Sequence, residues 1–155
     1  LRLDRSYRAV PEPLEISRYQ IYGPRALSGT GGIGIFAYGG MVCEALELKS
    51  QLNALGKEAT VYSCVALTHM DEDLYAEAML KHRELVTMEE NNSTTGLGAK
   101  IRKVLTERDI TGRKLRCFGI NPNNLALVGD QKYLRGMHNL NADGIKGFLQ
   151  REGWL

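Results

Sequence analysis

The stretch Leu85–Gly98, LVTMEENNSTTGLG, decides the reading of the fold. Leu85-Val86-Thr87-Met88 is a short run of apolar and β-branched residues, the composition of a buried strand. It breaks into Glu89-Glu90 and a polar turn from Asn91 to Thr95, and Gly96-Leu97-Gly98 then opens an amphipathic helix. A strand ending in carboxylates and followed by a glycine-bearing helix start marks the carboxyl edge of an open α/β sheet, where such folds keep their functional surface. Neighbouring residues on a strand point to opposite faces, so Glu89 and Glu90 do not make a paired-carboxylate acid/base site. One is expected to face solvent, and the other to cap the turn or contact a neighbouring domain.

Upstream of this stretch, Ile33–Tyr38 reads as a strand and Met41–Leu55 as a helix. Met41, Ala45, Leu48, Leu52 and Leu55 fall at spacings of 4, 3, 4 and 3, one apolar stripe stopped by Gly56. Ala59–Cys64 is a β-branched and aromatic strand, and a loop from Val65 ends at Asp71. Asp71 suits a helix N-cap, with Glu72 and Asp73 at the positive end of the helix dipole. That helix runs to about His82 and buries Leu74, Ala78 and Met79. Downstream, Gly96–Arg108 is a helix with Leu97, Ile101, Val104 and Leu105 inward, and Leu115–Ile120 is a last strand. Asn121–His138 reads as irregular, and Asn141 or Asp143 caps a terminal helix burying Ile145, Phe148 and Leu149. Strands alternating with helices imply βαβ units: a three-layer α/β/α fold on a mostly parallel sheet of about five strands, with one antiparallel edge strand.

At 155 residues the chain is one domain's worth, long enough to bury a core. A net charge of +2, with both signs alternating along the chain, gives no argument for nucleic acid. No apolar run approaches the roughly 18 residues of a membrane span, and the N-terminus has no signal-peptide layout, which suits a cytoplasmic protein. Cys43, Cys64 and Cys117, odd in number and far apart, suit reduced thiols better than a disulfide framework or zinc site. Residues 1–22 carry Arg2, Arg5, Arg8 and Arg18, with Pro11 and Pro13 among them. They read as an extended linker from something upstream, with an edge strand possible at Arg18–Tyr22, ahead of a domain at residues 23–155. A chain beginning at Leu1 rather than Met fits a fragment or processed polypeptide.

The candidate functional groups are few. Gly29-Thr30-Gly31-Gly32-Ile33-Gly34 spells G-x-G-x-x-G, but it precedes its strand instead of following it, so a hairpin-like turn is the better reading. Gly39-Gly40 lie between a strand and a helix, where backbone N–H groups can hold an anion or where two backbones can pack closely. Gly96 and Gly98 share that position at the next helix. His69 lies on a loop after a strand with no sequence-adjacent partner, and His82 reads as helix-end stabilisation. Gly129-Asp130 begins a thiamine-diphosphate motif that Gln131 does not continue, and that assignment is rejected. Arg2 and Arg5 present planar forks suited to phosphate.

Three runs carry a resemblance: GIGIFAYGGMVCEALELKSQL (32–52), ATVYSCVALTHMDEDLYAEA (59–78) and HRELVTMEENNSTTGLGAKIRKVL (82–105). Together they resemble the C-terminal domain of the transketolase superfamily, and most closely the 1-deoxy-D-xylulose-5-phosphate synthases. Gly40-Met41-Val42, Asp71, Leu85–Asn91, Gly96 and Gly98 match that family's order of motifs, and residues 138–145 echo its terminal Gly-Leu-Asp-Ala-x-Gly-Ile. Thr68-His69-Met70 replaces the family's Lys-Pro-Leu ahead of Asp71, and Asp4 stands where the synthases have proline.

The resemblance implies an intact enzyme that uses thiamine diphosphate and Mg held between two other domains, with neither bound by this domain alone. It implies pyrimidine- and diphosphate-binding domains as partners, on the same chain or a separate one, and a homodimer. It also implies that an arginine entering this domain grips the substrate's phosphate, with Arg5 the better match and Arg2 the second. Gly39, Gly40, His69, Asp71, Glu89, Glu90, Gly96 and Gly98 then become interdomain or anion-binding candidates. Two other readings of the residues stay open: a stand-alone anion-binding regulatory module, and the corresponding domain of a 2-oxoacid dehydrogenase beta subunit.

Overall fold

A computed structural model describes residues 21–120 and 128–155. Its sheet comprises β1 (Arg25–Ser28), β2 (Ile33–Tyr38), β3 (Ala59–Cys64), β4 (Glu84–Met88) and β5 (Lys114–Phe118), in the order β1-β3-β2-β4-β5. β3, β2, β4 and β5 run parallel, and β1 pairs antiparallel with β3 at one edge. The helices are α1 (Met41–Ala54), α2 (Glu72–Leu80), α3 (Leu97–Glu107), α4 (Gln131–Met137) and α5 (Ala142–Arg151). This is the expected α/β architecture with one antiparallel edge strand.

Strand order determines which face each helix covers. From β2 the chain steps through α1 to β3 on one side, whereas β3–α2–β4 and β4–α3–β5 step the other way. Right-handed crossovers therefore put α1 on one face and α2 and α3 on the opposite face. The core divides accordingly. Ile33, Ile35, Ala37, Val61, Val86 and Met88 pack with Met41, Ala45, Leu48 and Leu52 of α1 and with Ile145 and Leu149 of α5. The alternate positions Phe36, Tyr62 and Leu85 pack with Tyr75 and Met79 of α2 and with Leu97, Ile101 and Val104 of α3. Each large apolar side chain so buried contributes about 1.5–3 kcal/mol. Among the described residues no helix is long and apolar enough to cross a membrane.

Some local expectations are corrected. Residues 131–137, read as irregular, form α4, capped where Asp130 accepts a bond from the Tyr133 N–H at 2.8 Å. Its one buried side chain is Arg135, so no apolar stripe announces it. Leu55 is 50% exposed, since α1 ends one residue earlier and Gly56 turns the chain at φ +72°. Tyr75, not Leu74, takes the fully buried place on α2. The antiparallel edge strand is Arg25–Ser28, while Ile21 and Tyr22, assigned to a possible strand, are helical. The glycine run forms no hairpin, because β1 pairs with β3 and not with β2. A methyl group on Gly29 or Gly31 would overlap the backbone of Ala59 or Glu58, so these glycines let the loop cross the start of β3.

His82 is a buried brace, not a helix-end charge. Its Nδ1–H donates to the Gly31 carbonyl and its Nε2 accepts from the Tyr62 hydroxyl, both at 2.8 Å. The Tyr62 ring meets the imidazole edge-on, and Gly34 leaves room for the ring beneath it. Burial is the main cause that pushes its pKa below the ordinary 6.5, aided by Lys81 and opposed by the bond to Gly31. A depressed folded pKa means stability that is present above the unfolded value and lost as pH falls through the folded one. Urea midpoints of this chain will therefore drop as pH is lowered below 6.5, and His82→Gln will remove that component of the slope. An identical acid slope in the variant would refute the assignment.

Candidate functional site at the carboxyl edge

The connections leaving β2 and β4 diverge to opposite faces, so the crevice at their carboxyl ends is the topological switch point. Gly39-Gly40 and Glu89-Glu90 converge there, and Gly96-Gly98 open α3 beside it. Gly39 adopts φ +60°, a left-handed turn that favours glycine, and Gly40 caps α1 with no side-chain hydrogen bond. Glu44 stands in that helix's first turn, a negative charge close to where an anion would dock.

Glu89 is fully buried and closes the N-terminus of α3. Its Oε2 accepts the Leu97 N–H and its Oε1 the Gly98 N–H, each at 2.8 Å. The N–H groups that an incoming anion would use are therefore occupied by the chain's own carboxylate. A Cβ on Gly96 would overlap that carboxylate, and one on Gly98 would lie 2.9 Å from the Cys117 side chain. Both glycines serve close internal approach. Burial pushes the Glu89 carboxyl above its usual range, while the bonds from Gly98 and Leu97 and the Arg102 charge pull the other way.

Glu90 leads to a network that local sequence does not announce. Its Oε1 accepts from Arg135 Nε at 2.7 Å and from Gln131 Nε2 at 2.9 Å. Buried Arg135 also reaches Glu44 Oε1 through Nη1 at 3.4 Å, and Glu44 Oε2 accepts the Ala142 N–H at 3.1 Å. The end of β4, the start of α1, α4 and the N-terminus of α5 are thus tied together, by partners 45, 91 and 98 positions apart. Gln51, Glu47, Lys132 and Asp143 join Glu44, Gln131, Arg135 and Ala142 around a cleft of about 370 Å³.

Asp71 and His69 stand on the connection that follows β3. Asp71 caps α2, accepting the Leu74 N–H at 3.2 Å, and its own N–H donates to the Tyr22 carbonyl. His69 is exposed on the turn after β3. Arg2 and Arg5 lie outside the described residues. Cys64 is buried, and its thiol is pushed up to about 12, so it stays protonated at neutral pH. Cys43 and Cys117 are half-buried, and burial raises Cys117 as well. Among the described residues no three His, Cys, Asp or Glu side chains are grouped to hold a metal ion.

Residues 28–145 match the family model for the transketolase C-terminal domain. The chain is 31% identical over 123 residues to 1-deoxy-D-xylulose-5-phosphate synthase 2 of Geobacter sulfurreducens, covering 79% of this chain and 20% of that protein. It is 30% identical over 117 residues to one subunit of the apulose-4-phosphate transketolase of Actinobacillus succinogenes, covering 74% of this chain and 37% of that protein. A split-gene transketolase, described as an inactive beta4 tetramer, superposes with a TM-score of 0.74 at 26% identity, over 90% of this chain and 46% of that one. Transketolase from Campylobacter jejuni shares the fold, with a TM-score of 0.61 at 17% identity, over 93% of this chain and 20% of that one. This chain thus spans under half the length of these relatives. With the doubly wound topology and the strand-to-helix stretch at Glu89–Gly98 in the order this family shows, the chain belongs to the transketolase C-terminal domain family.

Proposed function

We propose that this chain is the C-terminal packing domain of a thiamine-diphosphate-dependent, transketolase-like enzyme, and that the intact enzyme is a homodimer. The observation that carries the reading is the self-filled carboxyl edge. Glu89 takes the N–H groups of α3, and Arg135 is shared between Glu90 and Glu44. A domain whose own side chains occupy its ligand crevice is suited to support a neighbouring site. Thiamine diphosphate and Mg supply the carbon-transfer chemistry when bound elsewhere in the intact enzyme. Residues 1–22 serve as the segment entering from the cofactor-binding part, and Arg5 contacts the substrate phosphate as a planar fork. Similarity to a single subunit of a transketolase gives an arrangement on separate polypeptides equal standing with one long chain.

The test is Arg5→Ala in the intact enzyme, assayed with phosphorylated and unphosphorylated acceptors. A charged hydrogen bond is worth about 1.5–3 kcal/mol, so kcat/KM for the phosphorylated acceptor should fall about 10- to 150-fold. The unphosphorylated acceptor should be little affected. An unchanged kcat/KM for the phosphorylated acceptor, or the same fold-loss on both acceptors, would overturn the role of Arg5.

A further inference from the structure

We infer that the outer face of α4, made by Tyr133, Gly136 and Met137, is the seat on which the cofactor-binding part of the enzyme rests. The inference relies on the reading of this chain as one domain of a larger enzyme, and names the surface. Tyr133 and Met137 are 49% and 46% exposed, one helical turn apart, and Val128 just before the helix is 93% exposed. Leu55, Val65 and Leu80, the other large exposed apolar side chains among the described residues beyond Tyr22, lie at three separate places in the chain. With Asp130, Lys132 and Gly136, the α4 pair lines a shallow concavity of about 400 Å³.

Gly136 is the informative residue. A glycine inside a helix is destabilising relative to alanine and persists where something needs the space. Among the described residues nothing does, since a Cβ at Gly136 would meet none of their atoms within 4 Å. Gly129 shows the contrast: a Cβ there would overlap the Tyr133 ring, so that glycine lets the ring lie against the chain. The space over Gly136 is therefore left free by the described residues of the domain, with Tyr133 and Met137 as its walls.

Beneath this face the helix is held firmly. Arg135 on its inner side is buried and bonded to Glu90 and Glu44, so α4 is presented as a fixed ledge at the switch point. The occupant follows from the relatives. The chain spans 20% of a synthase, and the other four-fifths must contact some face of it. Tyr and Met are enriched at interfaces, and Asp130 and Lys132 supply a mixed polar rim. An apolar side chain of the cofactor-binding part, seated over Gly136 between Tyr133 and Met137, fits this surface.

The experiment uses the intact enzyme from source cells, with single cysteines introduced as Met137→Cys or, as a comparably exposed reference, Leu80→Cys. Maleimide should label Met137→Cys at least about tenfold more slowly than Leu80→Cys, although both side chains are about half exposed in the domain. Adding Gly136→Gln, whose side chain has open space in the domain, should bring the two rates together. A photo-crosslinker at Met137 should then capture a peptide from the cofactor-binding part. Equal labelling rates, or a crosslink to this domain of a second copy, would overturn the proposal. Loss of thiamine-diphosphate-dependent turnover from the unmodified enzyme would defeat the functional reading instead, and leaves the labelling ratio to judge the surface.

Discussion

Glu89→Ala will lower the unfolding free energy of this chain by about 3 kcal/mol, because it leaves two buried N–H groups at the start of α3 without an acceptor. Each 2.8 Å bond to Leu97 and Gly98 is replaced by nothing, since the site is closed to water around a fully buried side chain. An orphaned buried donor costs about 1–3 kcal/mol, and loss of negative charge at a helix N-terminus adds to it. Removing a desolvated carboxylate returns part of this, which holds the net near the lower end of the sum. The neutral amide of Glu89→Gln keeps one acceptor and should cost about half as much.

Gly96→Ala attacks the same contact from the other side, because its methyl group overlaps the carboxylate. The two substitutions should therefore not add. Glu89→Ala combined with Gly96→Ala should be at least about 1 kcal/mol more stable than the sum of the singles predicts. Urea unfolding of the four proteins measures this directly. Additive losses would mean that Glu89 does not fill the space over Gly96.

The second large effect is expected at Arg135. Arg135→Met preserves much of the apolar stem but takes away the guanidinium beside Glu44, and it removes the shorter of the two ion pairs, 2.7 Å to Glu90. Removing one partner of a buried ion pair costs about 3–5 kcal/mol, since the charge left behind loses its counter-charge without regaining full hydration. Glu90 is partly open to solvent and can rehydrate, whereas Glu44 is nearly buried. The loss should thus fall near 3 kcal/mol and be carried mainly by Glu44. Adding Glu44→Gln to Arg135→Met should recover about 1 kcal/mol or more. The same urea series decides it, and a loss for Arg135→Met below about 1 kcal/mol would refute the network's weight.

The two kinds of site differ in how far local chemistry announces them. Glu89 and Gly96–Gly98 lie within ten positions, and a carboxylate followed by glycines at a helix start is a pattern with a mechanism. The pattern leaves open whether those N–H groups await a ligand or already hold a side chain, and only the closed geometry around Glu89 answers that. Arg135 lies 45 positions from Glu90 and 91 from Glu44, so no window contains all three. Its helix escapes a reading by periodicity for a related reason: the one fully buried side chain of α4 is polar, and Tyr133 and Met137 face outward, against the usual stripe. His82 likewise sits at a helix end in sequence, and its partners Tyr62 and Gly31 are 20 and 51 positions away.

Apolar runs and a period near 3.6, punctuated by glycine and capping residues, determine the order of strands and helices from β2 onward, α4 apart, from the sequence alone. That order, with the handedness of crossovers, also determines that the sheet is mostly parallel and covered on both faces. Tertiary structure alone decided which strand stands at the antiparallel edge, which carboxylate is buried, and which surface is left for a partner. The physical reason is that periodicity records how a side chain relates to its own backbone. Charge pairing, close glycine contacts and an open face over Gly136 depend on segments that meet only when the sheet closes.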